Sequence, residues 1–184
     1  TYAEYLHCAP DFPKSLFHAR FSEGIGSGFI NNGELLIGNR CASMELGHLV
    51  LLPTGRRCRC GNRGCLEAMA GGAALKQMMQ ELVESGVNSK LDMENFSLEK
   101  FVEAALENDR AAKVLAEETC ERIGPVMAMV STLLNPQIIV LSGELTGLGN
   151  MLSNAIERAI SLKCLNNNEK AIKIKISTLD RFSG

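Results

Sequence analysis

The run Glu45-Leu-Gly-His48-x9-Cys58-x-Cys60-Gly-x-x-Gly-Cys65-Leu-Glu67 places one imidazole and three thiols within eighteen residues. Three thiolates and an imidazole suit Zn²⁺ and make a closed four-ligand set, the pattern of a structural site with no position left for catalysis. Gly61 and Gly64 let the chain fold tightly around one ion. Singly, these residues say little, because a lone histidine packs anywhere and a lone cysteine behaves as a small hydrophobe. Their joint spacing is what points to metal. Glu45 lies three residues before His48 and Glu67 two after Cys65. Isolated carboxylates are ordinarily solvated. One closed metal site, however, draws these two into a single neighbourhood, where carboxylates can accept hydrogen bonds from several sugar hydroxyls.

Around this run the chain reads as one ordinary domain of 184 residues, 46% apolar and 22% charged. A net charge of −2 offers no basic face for nucleic acid. No apolar stretch reaches membrane-spanning length, and no charged-then-apolar leader opens the chain. Three of the seven cysteines belong to the cluster, and Cys8, Cys41, Cys120 and Cys164 are scattered. A Cys-x-Cys pair beside a histidine fits metal in a reducing compartment better than disulfides, so a cytoplasmic location is expected. The chain starts at Thr1 and stops at Ser183-Gly184 after a strand-like run, and is read as part of a longer protein.

Residues 16–21 and 25–37 have strand character, interrupted by Gly24-Ile-Gly26-Ser-Gly28 and by the hairpin signal Asn32-Gly33. The stretch 55–72 is too irregular for helix. A helix is expected over 73–84, with Leu75, Met78, Met79 and Leu82 on one stripe. A polar connector follows, then a helix started by Ser97 and a long one capped by Asp109 and running toward Leu134. Pro125, after Gly124, should kink that helix or divide it, and Asn135-Pro136 should end it. The apolar run 138–141 suits a strand covered on both faces, followed by a turn, a helix over 148–162 and a strand over 172–176. A β-meander, then helices, then β-α-β implies an α/β domain with a mixed sheet.

The run from Glu45 to Glu67 resembles the signature of the ROK family (repressors, uncharacterised reading frames and sugar kinases). Ser22-Glu-Gly24-Ile-Gly26-Ser-Gly28 is similar to that family's glycine hairpin, and Leu134-Asn-Pro136-Gln-Ile-Ile-Val-Leu-Ser-Gly143 to its late strand and glycine turn. The resemblance covers nearly the whole chain. It implies an actin-like, ribonuclease H-like fold of the hexokinase type, with residues 1–184 supplying most of the C-terminal lobe. It assigns zinc to His48, Cys58, Cys60 and Cys65, and sugar contacts to Glu45, His48 and Glu67. His48 then serves both, one ring nitrogen on the metal and the other toward the sugar. Gly24, Gly26 and Gly143 match the nucleotide-facing turns. The catalytic aspartate would precede Thr1 and a final helix would follow Gly184, so no catalytic residue is expected in this chain.

Two positions separate the branches of that family. Kinases carry Gly-Thr-Gly at the hairpin, where backbone amides and the threonine hydroxyl meet nucleotide phosphates. Here Glu23 stands in the threonine's place and would repel a polyphosphate. Ser142-Gly143-Glu144 likewise replaces the more common paired glycines. Met44 replaces the glycine that usually precedes the first sugar glutamate. The favoured reading is the sugar-sensing lobe of a transcriptional regulator, which reaches DNA only through a helix-turn-helix domain outside these residues and assembles as a homodimer or tetramer. The alternative is an ATP- and Mg²⁺-dependent kinase of a hexose or N-acetylhexosamine. A zinc module serving only protein contacts ranks last, because it leaves Glu45 and Glu67 unexplained. His7, His18, Cys8 and Cys164 read as packing or surface residues, Arg56, Arg57, Arg59 and Arg63 as a solvated basic loop, and Met78, Met79, Met127 and Met129 as core or subunit interface.

Overall fold

A computed structural model describes residues 1–164 and 172–179; the end of the sequence at Ser183-Gly184 lies outside them. Strands β1 (Ser15–Phe21), β2 (Ile25–Asn31) and β3 (Glu34–Leu35) form the expected meander. Asn32 and Gly33 turn it with φ of 51° and 83°, the left-handed pair that a two-residue hairpin needs. Strand β4 (Ile138–Ser142) lies parallel to β1, and β5 (Lys173–Ile176) parallel to β4, giving the order β3-β2-β1-β4-β5. The sheet is therefore mixed, as its element order implies.

Alternation along β1 and β4 divides the core. Phe17, Ala19, Phe21, Ile139 and Leu141 face the main helical layer, while Leu16, Ile138 and Val140 face the other side under Tyr5 and Cys8. Burial on both faces is why β4 reads as an unbroken apolar run. The helical layer comprises α2 (Glu67–Ala70), α3 (Gly72–Glu84), α4 (Leu98–Leu106), α5 (Arg110–Leu134) and α6 (Asn150–Lys163); α1 (Tyr2–Leu6) lies on the opposite face. Ser97 accepts from the Lys100 N–H and Asp109 from the Ala112 N–H, so both caps form where their sequence signals lie.

Of the two outcomes expected at Pro125 the division does not occur, and two further expectations change. Helix α5 runs through Pro125 as one element of 25 residues. Proline there removes the bond to the Glu121 carbonyl, at about 3 kcal/mol. Packing offsets it: Ile123, Val126 and Met127 are fully buried. Gly124 belongs to that packing too, since a Cβ there would sit 2.8 Å from the Ala155 carbonyl of α6. Residues 67–70, expected to be irregular, form α2 because Leu66, Met69 and Ala70 are buried against α3 and α5. The helix expected from 148 begins at Asn150, after a 3₁₀ turn over Glu144–Leu148. Among the described residues no helix is long and apolar enough to cross a membrane.

His18 ties the sheet to α1. Its Nε2 lies 2.7 Å from the Ser142 hydroxyl and its Nδ1 3.3 Å from the Thr1 hydroxyl. Burial, then the positive charge of Arg20, hold its pKa down at about 4. The unfolded chain thus takes a proton near pH 6.5 that the folded one refuses until about pH 4. Stability should be full above pH 6.5 and fall as pH drops toward 4, by about 3 kcal/mol in all. Denaturant titrations across that window should find this slope in the parent protein and a clearly flatter one in His18→Gln.

Candidate functional site

The cluster residues come together because a short loop folds back on itself. Val50 bridges to Cys65 and Arg57 to Arg63, while the Leu51 N–H donates to the Gly64 carbonyl at 2.8 Å and the Leu66 N–H to the Leu49 carbonyl at 3.0 Å. Gly64 has φ of 69°, and a Cβ there would lie 1.6 Å from the Leu52 carbonyl oxygen, so no other residue fits. Arg56 anchors the loop to α3 through a two-pronged pair with Glu81.

Within the loop, one ligand atom each from His48, Cys58, Cys60 and Cys65 lies within 4.8 Å of every other. His48 Nδ1 is 3.7 Å from Cys58 Sγ, and Cys60 Sγ is 3.6 Å from Cys65 Sγ. Metal–ligand bonds of 2.0–2.3 Å at tetrahedral angles put ligand atoms about 3.5–3.8 Å apart, so the donor set fits one four-coordinate ion. Burial, with the neighbouring Cys60 and Cys58 thiols, pushes the Cys65 thiol up to about 12, whereas the Asn62 N–H holds Cys60 below its ordinary value. An ion must displace the Cys65 proton, so binding strengthens as pH rises. Nδ1 is the imidazole nitrogen turned to the sulfurs, which leaves Nε2 directed away from them.

Glu45, His48 and Glu67 belong to one knot of chain pressed against the start of β2. Gly47 makes it possible: a Cβ there would lie 2.4 Å from the Ile25 carbonyl and 3.3 Å from the Glu67 Cβ. Glu45 is exposed, with no side-chain partner among the described residues. Glu67 is engaged. Its Oε2 accepts from the Ile25 N–H at 3.0 Å, and its Oε1 lies 2.9 Å from Arg59 Nε. Met44, where the resemblance leads one to expect glycine, has φ of 59°. A left-handed backbone there costs a methionine about 1–2 kcal/mol, and the Met44 carbonyl is held by the Ser27 hydroxyl at 2.6 Å.

The glycine turns share one end of the sheet, at the carboxyl ends of the parallel strands β1 and β4, where α/β sheets bind ligands. Glu23 does not simply point to solvent. Its carboxylate lies over the start of α3, where a Cβ on Gly72 would meet it at 2.5 Å. Among the described residues nothing crowds Gly26, whereas Gly143 is pressed on the Phe21 carbonyl. Arg59 and the Ile25 amide are the residues that sequence reasoning missed. Nothing in a basic loop announces that one arginine will fold onto a carboxylate, and a backbone donor has no sequence signal at all.

A mixed sheet with its main helical layer on one face and α1 on the other, a glycine hairpin and a second glycine turn at the same strand ends define the lobe of an actin-like, hexokinase-type fold. The chain belongs to the ROK family, whose sequence profile matches residues 1–184. It is 33% identical over 179 residues to the DNA-binding transcriptional dual regulator NagC of Escherichia coli K12, an alignment covering 97% of this chain and 44% of NagC. A crystal structure of a ROK family transcriptional regulator, a homologue of the E. coli Mlc protein, superposes with a TM-score of 0.89 at 28% identity, covering 99% of this chain and 46% of that one. The ROK hexokinase of Thermus thermophilus superposes at 0.80 with 27% identity, covering 99% and 60%. The chain thus spans about half the length of the relatives it matches.

Proposed function

We propose that this chain is the effector-sensing lobe of a ROK-family transcriptional regulator. A structural zinc held by His48, Cys58, Cys60 and Cys65 stiffens the loop, contributing on the order of 10 kcal/mol to its folding. Glu45, Glu67 and the second nitrogen of His48 hold the hydroxyls of a sugar or sugar derivative. The sugar shifts the arrangement of lobes and subunits in a cytoplasmic dimer or tetramer, and with it the spacing of DNA-binding domains carried outside these residues.

What carries this reading is the turn at residues 22–26. The Ile25 N–H already donates to Glu67 and is not free for a phosphate, and Glu23 brings a negative charge to the start of α3 next to the turn. The alignment with NagC, which spans nearly the whole chain, supports the same branch. The test is ATP consumption by the intact protein with Mg²⁺ and a panel of hexoses and N-acetylhexosamines, alongside thermal shifts with the same sugars. At least one sugar should raise the thermal midpoint without any ATP turnover. Turnover with any sugar would overturn this in favour of an ATP-dependent sugar kinase. No thermal shift with any sugar would leave only a structural metal module.

A further inference from the structure

Arg59 stands between two of the cluster cysteines, and its side chain is 77% exposed, yet it folds back along the loop instead of extending into solvent. Its Nε lies 2.9 Å from Glu67 Oε1 and its Nη2 donates to Glu67 Oε2 at 3.4 Å. That carboxylate is itself only 11% exposed. From the other side, Oε2 accepts the Ile25 N–H at 3.0 Å. Gly24 closes the contact, since a Cβ there would lie 3.0 Å from Glu67 Oε2 and 3.5 Å from Arg59 Nη2. A carboxylate offers about four lone-pair directions. The amide and the guanidinium fork take two to three of them and leave at least one over.

We propose that Arg59 is a positioning residue: it clamps Glu67 against the Ile25 amide so that one carboxylate lone pair stays aimed at the ligand, and it ties that aim to the metal loop. The inference rests on the sugar-binding role proposed for Glu67. Backbone atoms on both sides of Arg59 belong to metal-ligand residues, so a rigid loop fixes where the guanidinium starts and Glu67 fixes where it ends. The metal thereby reaches the sugar site by two routes, through the His48 ring and through the Arg59 fork. A lysine could supply charge but not the fork, because its ammonium is a point donor.

A double-mutant cycle on the intact protein tests this, using a sugar found to bind the parent and read by calorimetry together with metal per chain. Arg59→Ala should weaken sugar binding about ten-fold with the metal retained, as loss of a ligand-orienting partner does. Arg59→Lys should recover part of the loss. In a Glu67→Gln background, Arg59→Ala should cost nothing further, because its action passes through the carboxylate. Sugar binding by Arg59→Ala as tight as the parent's, or tighter, would overturn the proposal and make the guanidinium a bystander or a competitor. So would independent, multiplying losses in the cycle, or loss of metal from Arg59→Ala. A parent protein that binds no sugar on the panel would instead remove the proposed function, and this inference with it.

Discussion

Replacing Cys60 by serine is expected to release the metal, melt the loop of residues 49–66 and abolish the sugar response. Cys60 is exposed, so its sulfur adds little to packing. Without a metal, the exchange should move stability by less than about 0.5 kcal/mol, as surface substitutions do. With one, it removes a quarter of the ligands from a site contributing on the order of 10 kcal/mol. Cys58 and Cys65 would not separate the two cases, because both are buried and their loss costs stability either way. Metal per chain, the thermal midpoint and a sugar titration together give the answer. The expected result is metal lost, the midpoint down by about 10 °C or more, and sugar binding gone. A variant that keeps its metal, or keeps parental sugar affinity without it, would sink the idea.

Gly143→Ala should be among the most damaging substitutions outside that loop, at about 3 kcal/mol or more. Gly143 has φ of 91° and ψ of 171°, a region open only to glycine. A Cβ there would also lie 2.3 Å from the Phe21 carbonyl oxygen at the end of β1. Neither atom can retreat, since β1 and β4 are hydrogen-bonded neighbours at the centre of the sheet. Equilibrium denaturation of the variant reads the cost directly. Parental stability would mean that the turn relaxes and that its geometry is set by something other than the glycine.

The features legible in the sequence are those written in local chemistry. Asn32-Gly33 specifies its turn, Ser97 and Asp109 specify helix starts, and the run 138–141 specifies a doubly covered strand, because each signal acts within a few residues. The gathering of His48, Cys58, Cys60 and Cys65 was legible because four uncommon side chains share one short stretch. What could not be read depends on distant partners. Pro125 looks like a break until α6 packs against its neighbour Gly124. Met44 carries no sign of its positive φ, and Glu67 no sign that two donors from different segments will take hold of it. Propensity and periodicity carry no information about contacts between segments far apart in the chain.

The grip of Glu67 on the hairpin has a bearing on how glycine signatures are used to judge activity. Gly24 is boxed in by the Glu67 carboxylate and Arg59, whatever else binds there, while among the described residues Gly26 has no non-adjacent atom within 4 Å of where a Cβ would stand. The two therefore answer to different pressures. Gly24 serves the contact between the hairpin and the Glu67–Arg59 pair and would be retained by a protein that never handles a nucleotide. Gly26 has no such duty in this fold, so an alanine there is sterically free. Of the two, only Gly26 can report on whether phosphates still visit the turn.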